Sequence, residues 1–163
     1  MNKLRITRAR ETDTPLILSL IKELAEVEKF PFDVTVTETD LKASLFGEQP
    51  AAEVIISYLE KEPVGFAVYY QTFATTTGRP GLHLDDLYVR PQFQGNGFGK
   101  RILAHLARLA RDRGCARFEW WALEWNEKAI RFYESIGARN MQELRIFRLG
   151  LVDIQGVSEK LDR

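Results

Sequence analysis

The stretch Gln94-Gly95-Asn96-Gly97-Phe98-Gly99-Lys100 lies between a predicted strand and a predicted amphipathic helix. Glycines let the backbone approach a ligand closely, and the first turn of a helix offers unpaired N–H groups and a positive dipole. A Walker A loop is excluded because it requires glycine at position 94 and Ser or Thr at position 101, which is Arg101 here. A dinucleotide fingerprint starting at Gly95 is excluded because it requires glycine at position 100. The stretch therefore predicts another kind of phosphate-bearing ligand.

The composition predicts one globular domain over residues 1–163. The chain is 45% hydrophobic and carries 23 basic and 23 acidic residues, so its formal net charge is zero. This balance favours neither a nucleic-acid partner nor a membrane surface. The single cysteine, Cys115, precludes an intramolecular disulfide and suits a reducing cytoplasm, where we expect the protein. The first ten residues are polar and charged, which is unlike a signal peptide.

Hydrophobic periodicity predicts the element order β-α-α-β-β-β-α-β-α-β, an α/β (α+β) fold with helices flanking a mixed central sheet. Asp13 with Pro15 is expected to begin the first helix, Thr37-x-x-Asp40 the second and Asn126 the last, which Gly137 ends. The predicted strands cover residues 4–7, 53–59, 64–73, 82–89, 118–123 and 142–149. The pattern assigns no element to residues 152–163.

Two adjacent carboxylates, Asp85 and Asp86, interrupt an otherwise apolar strand that leads into the glycine-rich stretch. Neighbouring side chains of a strand point to opposite faces, so at least one carboxylate should be partly buried. A buried carboxylate is either paired or used in chemistry. For each residue taken alone, a structural role is as well supported as a functional one. Together they indicate a site for a cationic substrate or its proton.

A third cluster surrounds the last predicted helix. Asn126 and Tyr133 are seven residues apart, two helical turns, and so lie on nearly the same face. Taken alone, Asn126 is best interpreted as an N-cap and Tyr133 as a packing residue.

Together these segments resemble the spermidine/spermine (diamine) acetyltransferase branch of the GNAT superfamily, which includes thialysine acetyltransferase-like proteins. The likeness runs from about residue 4 to residue 150. It rests on residues 20–25 with Glu28, residues 65–70, the strand at residues 84–89, the glycine-rich stretch, Glu124-Trp125-Asn126-Glu127, and Phe132-Tyr133 with Gly137-Ala138.

The resemblance implies an acetyl-CoA-dependent N-acetyltransferase that needs no metal. It would transfer acetyl to a primary amine of a small molecule, such as a polyamine, thialysine or an amino-acid-like compound, by direct attack in a ternary complex. Two alternatives stay open: transfer to a protein or peptide amine, and a GNAT module that binds coenzyme A without catalysis.

The resemblance also implies the role of each site residue. Asp85 would be the general base and Tyr133 the general acid, while Glu28, Asp85 and Asp86 would bind the substrate. The residues implied in cofactor binding are Leu87, Tyr88, Val89, Gln94, Gly95, Asn96, Gly97, Phe98, Gly99, Lys100, Asn126 and Tyr133.

Two departures from the branch bear on the substrate. The branch has glutamate at the position of Asp85, and its polyamine-acetylating members carry a tryptophan where this chain has Thr75-Thr76-Thr77-Gly78. A shorter amine such as thialysine or lysine is therefore as well supported as a polyamine. A homodimer is expected from the resemblance alone, with Trp120 or Trp121 as a candidate contact, although at least one of them should pack in the core.

Overall fold

In the computed structural model, residues 3–31 and 33–161 are described. The chain forms two compact units, one ending at Trp121 and one beginning at Ala122. The first unit contains β1 (Leu4–Arg8), α1 (Thr14–Val27), α2 (Glu38–Phe46), β2 (Glu53–Leu59), β3 (Glu62–Ala74), β4 (Arg79–Val89), α3 (Phe98–Asp112) and β5 (Arg117–Trp120). The second contains α4 (Glu127–Ser135) and α5 (Leu151–Leu161). A single domain over residues 1–163 stays a prediction.

The first unit is built on one five-stranded sheet whose spatial order is β1-β2-β3-β4-β5. The first four strands pair antiparallel, and β5 pairs parallel with β4. The connection between β4 and β5 passes through α3, as a parallel pairing requires. The predicted α/β class with a mixed sheet is confirmed.

Helices α1 and α2 cover one face of the sheet. The predicted capping box of α2 is confirmed: the Thr37 side chain accepts the Asp40 N–H, and the Asp40 carboxylate accepts the Thr37 N–H. Asp13 precedes α1 as predicted, but its carboxylate accepts the Arg10 N–H instead of capping α1. The buried residues of this core are Ala9, Ile17, Leu20, Leu24, Leu41, Val54, Ile56, Phe66 and Tyr88.

Helix α3 lies against β4, β1 and β5. Periodicity predicts a buried stripe of Ile102, Leu103, Leu106, Ala107 and Ala110; all of these are buried except Ala107, which is exposed. At its C-terminal end, Arg113 donates two hydrogen bonds to the Glu53 carboxylate, of 2.6 and 2.9 Å. The Arg113 guanidinium also lies 5.9 Å from the centre of the Tyr69 ring. Glu53 and Tyr69 are register partners on β2 and β3, so Arg113 connects the C-terminal end of α3 to two strands of the sheet.

A β-bulge at Asp85 shifts the register of β4 by one residue, so that side chains after it point to the opposite face from the one that regular alternation would give. Asp86 lies opposite Val68 and Leu84 lies opposite Tyr69, so Asp85 has no partner on β3. Val68 packs against the core below α1 and α2. Because of the extra residue, Asp86 and His83 face the same side of the sheet although they are three residues apart.

The structure corrects the prediction at two places near the C-terminus. The strand expected at residues 142–149 does not form; its apolar side chains are exposed, and residues 122–161 of the second unit contain no strand with which it could pair. An alternating pattern favours a strand, but a strand needs a partner for its backbone hydrogen bonds. The strand expected at residues 118–123 covers Arg117–Trp120 instead. Residues 152–163, which the pattern left unassigned, include most of α5.

Candidate functional site

The glycine-rich stretch forms a loop that opens α3. Gly95 and Gly97 have φ of 80° and 74°, a left-handed conformation that only glycine adopts readily, and a Cβ atom on either would meet nothing within 4 Å. Gly97 is the N-cap of α3. Among the described residues, none accepts a hydrogen bond from the backbone N–H groups of residues 95–100. The loop therefore presents a row of free donors at a helix N-terminus, which suits phosphate oxygens.

Two side chains of the loop hold its shape. The Gln94 amide donates to the Val89 carbonyl oxygen over 2.9 Å. The Asn96 amide donates to the carbonyl oxygens of Phe93 and Gln94, over 3.1 and 3.3 Å. Lys100 is exposed on the first turn of α3 and adds a positive charge beside the loop. These bonds fix the backbone, so its N–H groups are oriented before any ligand arrives.

The end of β4 has an open edge beside the loop. The pairing with β5 stops at Leu84 and Trp120, whereas the pairing with β3 continues to Val89. Within the described chain, residues 85–89 therefore have no strand on the β5 side. The backbone groups of Leu87, Tyr88 and Val89 on that side are able to pair with an extended ligand as a strand would.

An arginine anchors the junction between this edge and the loop. Arg90 donates to both carboxylate oxygens of Glu23 on α1, over 2.8 and 2.9 Å, and to the Pro63 carbonyl oxygen over 2.7 Å. The hydrogen bond from Arg90 lowers the pKa of Glu23, and the same bond raises the pKa of Arg90. Residue-pattern reasoning missed this bridge, because partners 67 residues apart leave no periodic trace.

Two of the predicted substrate carboxylates, Asp85 and Glu28, act electrostatically on the third, Asp86. Burial, followed by the negative charges of Asp85 and Glu28, raises the pKa of Asp86 to about 6. Burial also raises the pKa of Glu28, the C-cap residue of α1. Asp85 is exposed, whereas Asp86 is partly buried, as the sequence predicts for at least one of the pair. No described lysine or arginine forms an ion pair with these carboxylates. The cluster is therefore an uncompensated negative site that a cation would stabilise.

The other predicted site residues belong to the second unit. The Asn126 side chain accepts the Ala129 N–H over 3.2 Å, so its predicted N-cap role is confirmed. Tyr133 is partly exposed on α4, and its ring lies 5.6 Å from that of Phe132. Gly137, with φ of 90°, follows the helix end as predicted.

Sequence reasoning missed an aromatic row across the sheet, formed by Tyr70, His83 and Trp121. Tyr70 and His83 are register partners on β3 and β4, with ring centres 4.9 Å apart. The His83 and Trp121 rings meet edge to face at 5.0 Å. The period-two alternation of a strand gives no hint of the bulge at Asp85, so the sequence pattern does not place His83 on the face of Asp86.

No helix in residues 3–31 and 33–161 has the length and apolar character required to cross a membrane. Those residues also contain no group of three His, Cys, Asp or Glu side chains placed to hold a metal ion.

Comparisons with known proteins identify similar chains over most of the length of this one. The acetyltransferase (GNAT) family model matches residues 20–138. Thialysine N-epsilon-acetyltransferase of Sus scrofa is 37% identical over 151 residues, which cover 88% of each protein. L-ornithine N5-acetyltransferase of Arabidopsis thaliana is 26% identical, covering 89% of this chain and 83% of that protein. A solved integron cassette protein from the mobile metagenome of V. cholerae has a TM-score of 0.81 at 28% identity, covering 98% of this chain and 99% of that one.

Proposed function

The chain belongs to the acetyltransferase (GNAT) family, and we propose that it transfers the acetyl group of acetyl-CoA to a primary amine of a small molecule. The single observation that carries the proposal is the adjacency of two features along β4. The three-carboxylate cluster at Asp85, Asp86 and Glu28 lies at one end of an open strand edge, and the free N–H groups of the glycine loop lie at the other. A cationic amine fits the first feature and an anionic cofactor fits the second.

The residues present fit acetyl-CoA. The N–H groups of residues 95–100, with Lys100, would bind its pyrophosphate, and the edge at Leu87, Tyr88 and Val89 would pair with the amides of its pantetheine arm. The cofactor residues so proposed are Leu87, Tyr88, Val89, Gln94, Gly95, Asn96, Gly97, Phe98, Gly99 and Lys100, with Asn126 and Tyr133 from the second unit. When bound, acetyl-CoA supplies the activated thioester that the reaction needs.

Two side chains are proposed to move protons. A free lysine-type amine has a pKa of about 10.4 and must lose a proton before it attacks. Asp85 is proposed as the base because it is exposed at the bulge beside the carboxylates that attract the amine. Tyr133 is proposed to protonate the leaving thiolate, supported by its place in the Phe132-Tyr133 segment that resembles the family's.

The substrate is proposed to be a short amine of the thialysine, lysine or ornithine type. The supporting observations are the names of two relatives and the three carboxylates, which favour a molecule with a second cationic group. Asp86 and Glu28 are proposed to hold that second group, because a cation offsets the burial and the repulsion that together raise the pKa of Asp86.

The test mixes purified protein with acetyl-CoA and one amine at a time, and measures thiol release. The panel contains thialysine, lysine, ornithine, putrescine, spermidine and a lysine-containing peptide. We expect the highest kcat/KM with thialysine or an amino acid. A preference for the peptide would favour protein acetylation instead. Binding of acetyl-CoA without release for any amine would favour a non-catalytic module.

We also propose a cytoplasmic homodimer. Several large apolar side chains of the second unit are exposed, as expected for a surface that another chain covers: Leu144, Ile146, Phe147, Leu149, Leu151, Val152, Ile154 and Leu161. Sedimentation equilibrium tests the stoichiometry, and a monomer at micromolar concentration would contradict it. The free Cys115 is compatible with a reducing compartment.

A further inference from the structure

We infer that Tyr70, His83 and Trp121 form an aromatic subsite that packs against the alkyl or thioether stem of the amine substrate. The inference rests on the proposed function. It assigns the residues that contact the part of the substrate between its two nitrogen atoms. The subsite lies on the face of the sheet that also carries Asp86.

The register of the sheet brings the three rings together. His83 is paired with Tyr70 on β3 and with Glu119 on β5. Trp121 is two residues beyond Glu119, which directs it to the same face, and its ring contacts the His83 ring. The bulge at Asp85 then brings Asp86 onto this face as well. One surface therefore carries three rings and a partly buried carboxylate.

The exposure of the three rings suits a ligand stem. Trp121 is 55% exposed and Tyr70 is partly exposed, whereas His83 is only 6% exposed between them. The His83 imidazole makes no hydrogen bond to another described residue. Thr72 Oγ1 is the only fully buried side-chain polar atom without a partner in the part of the chain described, so the imidazole nitrogens are not sealed away. The subsite therefore offers apolar ring surface with one polar group at its base.

Charge links this subsite to the proposed chemistry. Burial, followed by the negative charge of Asp85, raises the pKa of the Tyr70 phenol. Aromatic faces attract cations and contact thioether sulfur favourably. The chemical class that fits is a primary amine on a short alkyl or thioether stem that bears a second cationic group. Trp121 thus supplies an aromatic surface in a chain that lacks the tryptophan of the polyamine enzymes at residues 75–78.

The experiment compares Trp121→Ala and Trp121→Phe with the wild type. The affinity of thialysine and of lysine is measured calorimetrically on protein saturated with coenzyme A, and kcat and KM are measured by thiol release. We expect Trp121→Ala to weaken amine binding about 3- to 30-fold, with the KM for acetyl-CoA unchanged, and Trp121→Phe to retain most of the affinity. Because Trp121 is half-exposed, we expect both variants to fold, which thermal melting checks.

The matched control is Phe73→Ala, which removes another exposed aromatic ring from β3. We expect it to leave amine affinity unchanged. The inference is overturned if Trp121→Ala changes amine affinity less than twofold, if Trp121→Phe loses as much as Trp121→Ala, or if Phe73→Ala causes the same loss. If amines bind in a Trp121-dependent way without thiol release, the subsite stands and the proposed function fails. If thiol release is normal but independent of Trp121, the function stands and the subsite fails.

Discussion

The two halves of β4 differ in what lies beside them. Residues 81–84 are paired with β3 on one side and with β5 on the other, and all four are buried. Residues 85–89 are paired with β3 only, and they include the exposed Asp85 and the partly buried Asp86 and Leu87. One strand is thus a structural element where its partner continues and a candidate binding site where the partner ends.

The bulge marks the change between the halves. It occurs at Asp85, the residue after the last β4–β5 pair, and it turns Asp86 toward the face below α1. In a regular strand, residues three apart face opposite sides of the sheet, so Asp86 and His83 would lie on different faces. The bulge places them on the same face. If the comparison is right, substitutions in the open half change catalysis more than stability.

The largest expected effect is that of Asp85→Asn. Loss of a general base lowers the rate about 10²–10⁴-fold at neutral pH, where nearly all of the amine is protonated. The loss should shrink as the pH approaches the amine pKa of about 10.4, because free amine then needs no base. Thiol-release rates from pH 6 to pH 10 measure this, and melting temperatures should match the wild type because Asp85 is exposed.

Tyr133→Phe is the companion variant in the second unit. It lacks the proposed acid but keeps the ring that lies beside Phe132. Its rate should fall without the recovery at high pH that Asp85→Asn shows. An equal loss at every pH in Asp85→Asn would assign Asp85 to binding rather than proton transfer, and an unchanged rate in Tyr133→Phe would remove the acid role.

A medium effect concerns stability and Asp86. Its pKa of about 6 in the folded protein is above the ordinary aspartate value, so the folded state holds this proton more tightly than the unfolded state. The resulting stabilisation is complete below about pH 4 and is lost as the pH rises through about 6. Over that range Asp86 lowers the unfolding free energy by about 2–3 kcal/mol.

Asp86→Asn removes this contribution. Urea unfolding at several pH values should show that the difference in unfolding free energy between the variant and the wild type shifts in favour of the variant between pH 4 and pH 6. A pH-independent difference would mean that burial and the charges of Asp85 and Glu28 do not raise the pKa of Asp86 in the folded protein. The two halves of β4 would then not differ in their electrostatics.

Much of this comparison is predictable from sequence, and the reasons are local. Gly97 requires a left-handed backbone and Asn126 caps a helix through its own side chain, so each is detectable within a few residues. The position of the Asp85 bulge is not, because an insertion in a strand is set by its pairing with β3. The row of Tyr70, His83 and Trp121 depends on that bulge and on β5, and was therefore missed.

The strand expected at residues 142–149 fails for a related reason. Leu144, Ile146 and Phe147 lie in a pattern that favours a strand, but backbone pairing depends on a partner that sequence alone does not specify. Long-range contacts, such as that between Arg90 and Glu23, escape pattern reasoning in the same way. Sequence thus predicts elements and caps better than pairing.

The smallest expected effect separates structural glycine from ligand-binding glycine. Gly97 in the loop and Gly78 in the turn between β3 and β4 both have positive φ, of 74° and 65°, and a Cβ atom on either would meet nothing within 4 Å. Alanine at each should therefore cost the same backbone strain, about 1–2 kcal/mol of unfolding free energy in urea titrations. Only Gly97→Ala should also raise the KM for acetyl-CoA, because its methyl group would project where the loop N–H groups meet the pyrophosphate. Equal KM values for acetyl-CoA in the two variants would mean that the pyrophosphate does not bind at the glycine loop. Because both variants carry the same backbone strain, a KM increase confined to Gly97→Ala would be an effect on cofactor binding and not of strain.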